Sequence, residues 1–217
     1  MMKEIPIVLG MDSKSIPKIF ALINSIRVNV PKAHIYIITD EPVDIGDSNI
    51  DVICADIPCN GPYSHISGHT YYRLMIDKLI PSLEKCIYLD YDTIVLSNIG
   101  ELISGDSWIM RAAARNNETC FNAGVLAFNF TPECRELMEK ARSSIKPGHD
   151  DQQILHEIFE GKVDFVGIEY NMLVTPYTMD EFELHGAKIL HFIGSKKPWE
   201  HDPRLKYYYA FIKDNLK

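Results

Sequence analysis

Cys86-Ile87-Tyr88-Leu89-Asp90-Tyr91-Asp92-Thr93-Ile94-Val95 is an apolar run broken by two carboxylates one residue apart. It reads as a buried strand. Alternate residues of an extended chain point to one face, so Asp90 and Asp92 converge on a common object. Two like charges held that close need a cation or a proton between them. In an acidic chain a hard divalent metal with oxygen ligands fits best. A strand followed by a solvated acidic turn would give the same letters, so the surroundings have to decide.

Upstream, residues 5–11 read as a short buried strand. A helix follows, capped by Ser13 or Ser15, with Pro17 in its first turn and Ile19, Leu22, Ile23 and Ile26 at helical spacing. Residues 34–40 and 51–55 read as two more strands, and this strand–helix–strand order predicts a parallel sheet with helices on its faces. Downstream, helices are expected over 69–79, 99–103, 132–145 and 150–159. Strands are expected over 107–114, 121–130, 163–166 and 188–193, with a last helix opening at Pro203. No repeat or linker divides the chain, so residues 1–217 are expected to form one domain.

The net charge of −8 argues against a nucleic-acid partner, which would need a basic footprint, and means that an anionic ligand requires locally placed cations. The five cysteines are scattered, odd in number and without paired metal-site spacing, which fits a reducing compartment. The first six residues hold too short an apolar segment for a signal peptide, and no apolar run reaches the length of a transmembrane segment. The expectation is a soluble, cytoplasmic protein.

Open α/β sheets bind ligands at the carboxyl ends of their strands. Asp12, Asp90, Asp92, Asn122 and His191 all fall at or beside expected strand ends, so a shared cleft is expected. Asp12 is placed to accept hydrogen bonds from a base or ribose, or simply to cap a helix. In His191-Phe192-Ile193-Gly194-Ser195-Lys196-Lys197-Pro198-Trp199, a histidine closing a strand offers one imidazole nitrogen to a metal already held by carboxylates, a donor mix suited to manganese. Gly194 permits close backbone approach, and Lys196 and Lys197 supply cations. A core histidine followed by a solvated basic turn is the alternative.

Taken together, these stretches resemble the family 8 glycosyltransferases, retaining enzymes that include bacterial lipopolysaccharide galactosyl- and glucosyltransferases and, more distantly, glycogenin. Thr70-Tyr71-Tyr72-Arg73-Leu74 is similar to the family's T-Y-x-R-L, Tyr88 through Asp92 to Y-L-D-x-D, and Phe121-Asn122-Ala123-Gly124-Val125 to F-N-[SA]-G-V. Asp151-Gln152-Gln153-Ile154-Leu155 is similar to D-Q-x-x-L, and His191 through Trp199 to H-x-x-G-x-x-K-P-W. All five occur in order and cover nearly the whole chain.

The resemblance implies an α/β, GT-A fold with one mixed, mostly parallel sheet flanked by helices. It implies a UDP-sugar donor, UDP-glucose or UDP-galactose, a saccharide or glycoconjugate acceptor, and Mn²⁺, with Mg²⁺ as the alternative ion. Asp90, Asp92 and His191 match the metal positions, and Gly194 and Lys197 match diphosphate contacts. Asp12 matches the nucleoside end of the first strand, and Arg73, Asn122, Asp151 and Gln152 match positions around the donor sugar. Gln152 lies nearest the anomeric carbon and Asp151 is the better charged candidate, so both are expected to be catalytic. His65 falls toward the acceptor side.

The chain departs from the family where Asp12 is followed by Ser13-Lys14 rather than two acidic or polar residues. It also lacks a longer basic, aromatic tail after Trp199. Two other readings compete. A haloacid-dehalogenase-like phosphatase would want Thr at position 94 and its Asp pair after the first strand. A non-catalytic sugar-nucleotide-binding domain would bind UDP without turnover.

Overall fold

In the computed structural model, residues 4–56, 67–115, 120–175, 186–194, 197 and 199 are described. The chain opens with β1 (Ile5–Gly10), α1 (Phe20–Asn29), β2 (Ala33–Thr39) and β3 (Ile50–Cys54). There follow α2 (Ile76–Leu79), β4 (Lys85–Leu89), β5 (Thr93–Val95), β6 (Met110–Arg115) and β7 (Cys120–Asn129). The remaining elements are α3 (Pro132–Ser143), α4 (Asp151–Ile158), β8 (Val163–Val166), β9 (Met172–Val174) and β10 (Ile189–Phe192).

Seven strands make one sheet in the order β3-β2-β1-β4-β7-β6-β8. Only β7 runs against its neighbours; every other pairing in this sheet is parallel. The mixed, mostly parallel sheet is therefore as expected, and both of its faces are covered. Ile7, Leu9, Ile87 and Leu89 pack on one side with Ile19, Leu22 and Ile26 of the α1 region. Val8, Cys86, Tyr88 and Phe128 face the other side with Met138 of α3 and Leu155 of α4. Strands buried on both faces read as continuous apolar runs, which is why β4 was legible.

The central run is not one strand. It breaks at Asp90-Tyr91-Asp92, where Thr93 N–H returns to the Asp90 carbonyl at 3.2 Å. The second piece, β5, leaves the large sheet and joins a three-stranded sheet ordered β5-β10-β9, with its own core of Ile94, Val174, Leu190 and Phe192. Periodicity does not reveal this corner, because apolar letters continue on both sides of it. The neighbouring 3₁₀ segment at Ile168–Asn171 and strand β9 carry no expectation from the sequence either.

Three expected helices are tighter than foreseen, and the one expected over 99–103 is the 3₁₀ segment Gly100–Ile103. Residues Ser13–Lys18 form a 3₁₀ helix that contains Pro17, and the α-helix begins only at Phe20. Residues Gly68–Leu74 are also 3₁₀, and only Ile76–Leu79 is α. Aromatic and β-branched residues such as Thr70, Tyr71 and Tyr72 lose side-chain freedom in an α-helix, which weakens that alternative. The helix expected from Pro203, together with His65 and Lys196, lies outside the described residues.

Candidate active site

The corner between the two sheets builds the site. Asp90 N–H donates to the Gly124 carbonyl of β7 at 2.7 Å, and Thr93 Oγ1 donates to the Asp90 carbonyl at 2.7 Å. On the small-sheet side, Phe192 N–H donates to the Asp92 carbonyl at 2.9 Å, and His191 of β10 lies opposite Thr93 of β5. His191 Nε2 is thereby 3.2 Å from Asp92 Oδ1 and 3.8 Å from Asp90 Oδ2. One ligand atom from each of the three residues lies within 4.8 Å of the others. Gly124 makes this packing feasible: a Cβ there would sit 2.7 Å from His191 Nδ1 and 2.8 Å from Asp90 Oδ2.

Each carboxylate is turned by a second partner. Asp90 Oδ1 accepts from Arg73 Nη2 at 2.9 Å and from the Tyr88 hydroxyl at 2.8 Å, which leaves Oδ2 toward His191. Asp92 Oδ2 accepts from Lys197 Nζ at 2.5 Å, which leaves Oδ1 toward His191. Burial works against ionisation of Asp92, but His191 and Lys197 prevail and hold its carboxyl well below the usual range. One nitrogen and two oxygens directed at a common point suit a divalent cation, so the donor set fits the expected metal.

Arg73 ties this triad to a second acidic group. Its guanidinium is buried against the Tyr88 ring, donates to the Ala123 carbonyl, and pairs through Nε with Asp151 Oδ2 at 2.9 Å. Burial disfavours the charged guanidinium, yet Asp151 and Asp90 together keep it protonated beyond its ordinary range. Asp151 Oδ1 accepts from Thr70 Oγ1 at 2.5 Å, so both oxygens of that carboxylate are engaged. Burial pushes the Asp151 carboxyl up, more than Arg73 and Thr70 pull it down. The 2.9 Å contact to a charged guanidinium favours the carboxylate form of Asp151.

Gln152, Asn122 and Asn171 complete the connected set. Gln152 Oε1 accepts from Ala123 N–H at 3.1 Å and from Asn122 Nδ2 at 3.4 Å. Asn171 Nδ2 donates to the Asn122 carbonyl at 3.2 Å, and Asn171 Oδ1 meets His191 Nδ1 at 3.0 Å.

Eight of the expected residues, Asp90, Asp92, His191, Lys197, Arg73, Asp151, Gln152 and Asn122, thus form one bonded group. Two placements need correction. Asn122 is near the start of a strand, and reaches the carboxyl edge because β7 alone is reversed. His191 lies within β10 of the small sheet rather than closing a strand of the large one. Asp12 follows β1, the neighbour of β4. Its side chain makes no capping bond, and Oδ1 is buried without a partner among the described residues, so the capping alternative is not what the structure shows. Gly194 has φ +86° with open space where a Cβ would stand. Tyr91, between the two aspartates, stacks on Trp199 at 5.6 Å.

Three residues escaped the sequence reading. Tyr88 and Gly124 lie inside matched motifs, where the run of small residues at 123–124 was the available signal. Asn171 has none.

Residues 60–202 match the model of glycosyl transferase family 8. The chain belongs to this family. Mus musculus glycogenin-1 is 28% identical over 169 residues, covering 70% of this chain and 50% of that protein. A putative glycosyltransferase of Haemophilus influenzae is 31% identical over 168 residues, covering 62% and 50%. The chain spans about half the length of the curated relatives it matches. Among solved structures, galactosyltransferase LgtC in complex with donor and acceptor sugar analogs superposes with a TM-score of 0.71 at 21% identity, covering 98% of this chain and 95% of that one. Apo GlyE of Streptococcus pneumoniae gives 0.72 at 20% identity, covering 99% and 62%. The family 8 domain thus has the GT-A fold.

Proposed function

We propose that residues 1–217 form a single GT-A domain that transfers a hexose, from UDP-glucose or UDP-galactose, to a hydroxyl of a saccharide or glycoconjugate with retention of configuration. The observation that carries this is the Asp90/Asp92/His191 cluster joined through Arg73 to Asp151 and through Asn171 and Asn122 to Gln152. Asp90 Oδ2, Asp92 Oδ1 and His191 Nε2 would hold a divalent cation, Mn²⁺ or Mg²⁺. Bound there, the ion supplies neutralisation of the negative charge that grows on the departing diphosphate.

The chain's own residues do the rest. Arg73 and Tyr88 hold Asp90 Oδ1, so the aspartate cannot rotate away as charge moves nearby. Lys197 balances Asp92, and its ammonium would serve as a point charge toward a distal phosphate. Gly194, at φ +86° with space before it, lets backbone approach the same phosphate. The unpartnered Asp12 Oδ1 would accept a hydrogen bond from the nucleoside.

The residues expected beside the sugar support the reading of retention. Gln152 is a poor nucleophile, and both Asp151 oxygens are occupied, which suits anchoring Arg73 or meeting sugar hydroxyls rather than attack. Attack by the acceptor from the face that UDP leaves, with a diphosphate oxygen taking the acceptor's proton, needs no protein nucleophile.

Among the described residues, no helix is long and apolar enough to cross a membrane. Free Cys54, Cys86, Cys120 and Cys134 support a cytoplasmic setting. The deciding test is a panel of nucleotide sugars with Mn²⁺, scored for UDP release and, by proton NMR, for linkage in the first-formed product. An α-linked product from an α-linked UDP-sugar is expected. A β-linkage would overturn retention, and UDP binding without turnover of any donor would favour a non-catalytic domain.

A further inference from the structure

Asn171 is buried, lies just ahead of a strand of the small sheet, and touches both halves of the site. Which end of each amide faces which neighbour is settled by three backbone groups. The Ala123 N–H is only a donor, so the Gln152 atom 3.1 Å from it is the oxygen. The Gly124 N–H is only a donor, so the Asn122 atom 3.0 Å away is Oδ1, and Nδ2 is left toward Gln152 Oε1. The Asn122 carbonyl is only an acceptor, so the Asn171 atom 3.2 Å from it is Nδ2. Asn171 Oδ1 is then the atom 3.0 Å from His191 Nδ1, and an amide oxygen there requires the ring proton on Nδ1.

In the neutral ring this leaves the Nε2 lone pair directed at Asp92 Oδ1 and Asp90 Oδ2, an arrangement that a cation between them would satisfy. At the other end of the chain of amides, Gln152 Oε1 is spent on two donors, so only the NH₂ remains for a ligand.

We propose that Asn171 is a positioning residue that holds His191 as an Nε2 metal ligand and, through Asn122, turns Gln152 to present its NH₂ to the donor sugar. This rests on the glycosyltransferase reading for its purpose, though not for its geometry. Groups behind a metal-bound histidine commonly set ligand orientation and affinity.

The test uses the full chain and two variants, with Mn²⁺ titrated calorimetrically into protein saturated with UDP. Asn171→Ala removes the bond to His191 Nδ1 and both bonds from Nδ2, to the Asn122 carbonyl and to Asn122 Oδ1, so the Mn²⁺ dissociation constant should rise roughly 10–100-fold. Asn171→Asp keeps an acceptor for His191 Nδ1 but sets an oxygen against the Asn122 carbonyl. Its Mn²⁺ affinity should stay within about threefold of the parent, while kcat at saturating donor and metal falls by roughly tenfold. A purely structural asparagine would impair metal binding and kcat in both variants alike. Wild-type Mn²⁺ affinity in Asn171→Ala, or equal loss in the two variants, overturns the proposal. Long-range proton–nitrogen correlation on the parent protein loaded with UDP and diamagnetic Mg²⁺ reads the His191 tautomer directly. A proton on Nδ1 is expected and one on Nε2 overturns the proposal, whether or not the variants fold and whether or not any sugar is transferred. Failure of the parent to bind UDP with Mn²⁺ would instead overturn the glycosyltransferase reading.

Discussion

Two buried arginine clusters flank the short helical stretch that follows Ser67, and they are built to opposite ends. Arg142 of α3 grips Asp77, donates to the Leu74 carbonyl at 3.0 Å and also meets Glu139 at 2.8 Å. Arg135 adds bonds to the carbonyls of Asp77 and Leu83, so α3 is fastened to the layer beneath it. That cluster closes on itself. Arg73, four residues before Asp77, pairs with Asp90 and Asp151, while Lys197 pairs with Asp92. Among the described residues of this second cluster three carboxylates face two permanent cations, with a histidine to share. A buried carboxylate left in excess is costly unless a cation arrives. The first cluster therefore stabilises the fold, and the second carries an excess of carboxylate over fixed positive charge.

The hardest blow to this contrast is Asp92→Asn. It removes the surplus charge along with a metal oxygen, so UDP release should fall by roughly 10³-fold, the scale of losing a main electrostatic contact in a transition state. The fold should survive with a modest loss of thermal stability, because His191 and Lys197 lose the carboxylate they hold ionised. Full UDP release in the variant would mean that Asp92 is only a structural partner like Asp77.

The converse variant is Asp77→Ala. Stranding the guanidinium of Arg142 should cost about 3 kcal/mol of stability, the lower end for breaking a buried pair because Glu139 remains. Denaturant titration would read that loss. Turnover per folded molecule should be unchanged; a matching loss of kcat would tie Asp77 to the site and dissolve the distinction.

How much of this was legible in the sequence divides along the same line. Strands β1, β2 and β4 announce themselves because burial on both faces writes unbroken apolar runs. Asp90 and Asp92 stand out because two acids punctuate such a run. The family's motifs then gather Arg73, Asn122, Gln152 and His191, although the chain elements carrying them are far apart in sequence. What stays hidden is whatever depends on three-dimensional exchange between elements. The corner at Tyr91 that sends β5 into a second sheet has no signature in periodicity, and Asn171 is one polar letter ahead of an ordinary strand. The Asp151 carboxylate reads as a candidate for chemistry, and only the structure reveals Thr70 and Arg73 on its two oxygens.

Gly124→Ala sharpens the comparison, since it should harm both properties at once. The added methyl would press on His191 Nδ1 and Asp90 Oδ2, and it stands in a central strand where the backbone cannot easily withdraw. Overpacking of this kind costs roughly 1–3 kcal/mol. Splaying the donors should also weaken Mn²⁺ binding, measurable by calorimetry on the folded variant. Unaltered metal affinity would show that the donors are not held as closely as they stand here.

The smallest expected effect, and the most discriminating in sign, belongs to Lys197→Ala. In the metal-free protein its ammonium lies on Asp92 Oδ2 and donates to the Phe192 carbonyl at 2.8 Å, so it occupies part of the place a cation would take. Removing it should leave Mn²⁺ binding in the absence of nucleotide unchanged or a few-fold tighter, since a competing positive charge is gone. With UDP present the same substitution removes a cation from the diphosphate, and UDP affinity should fall by about tenfold, equivalent to roughly 1.4 kcal/mol. The two titrations therefore move in opposite directions if Lys197 alternates between carboxylate and phosphate. If instead Mn²⁺ alone binds more weakly to the variant, Lys197 is a fixed support for Asp92, and the second arginine cluster is more nearly closed than the charge count among its described residues implies.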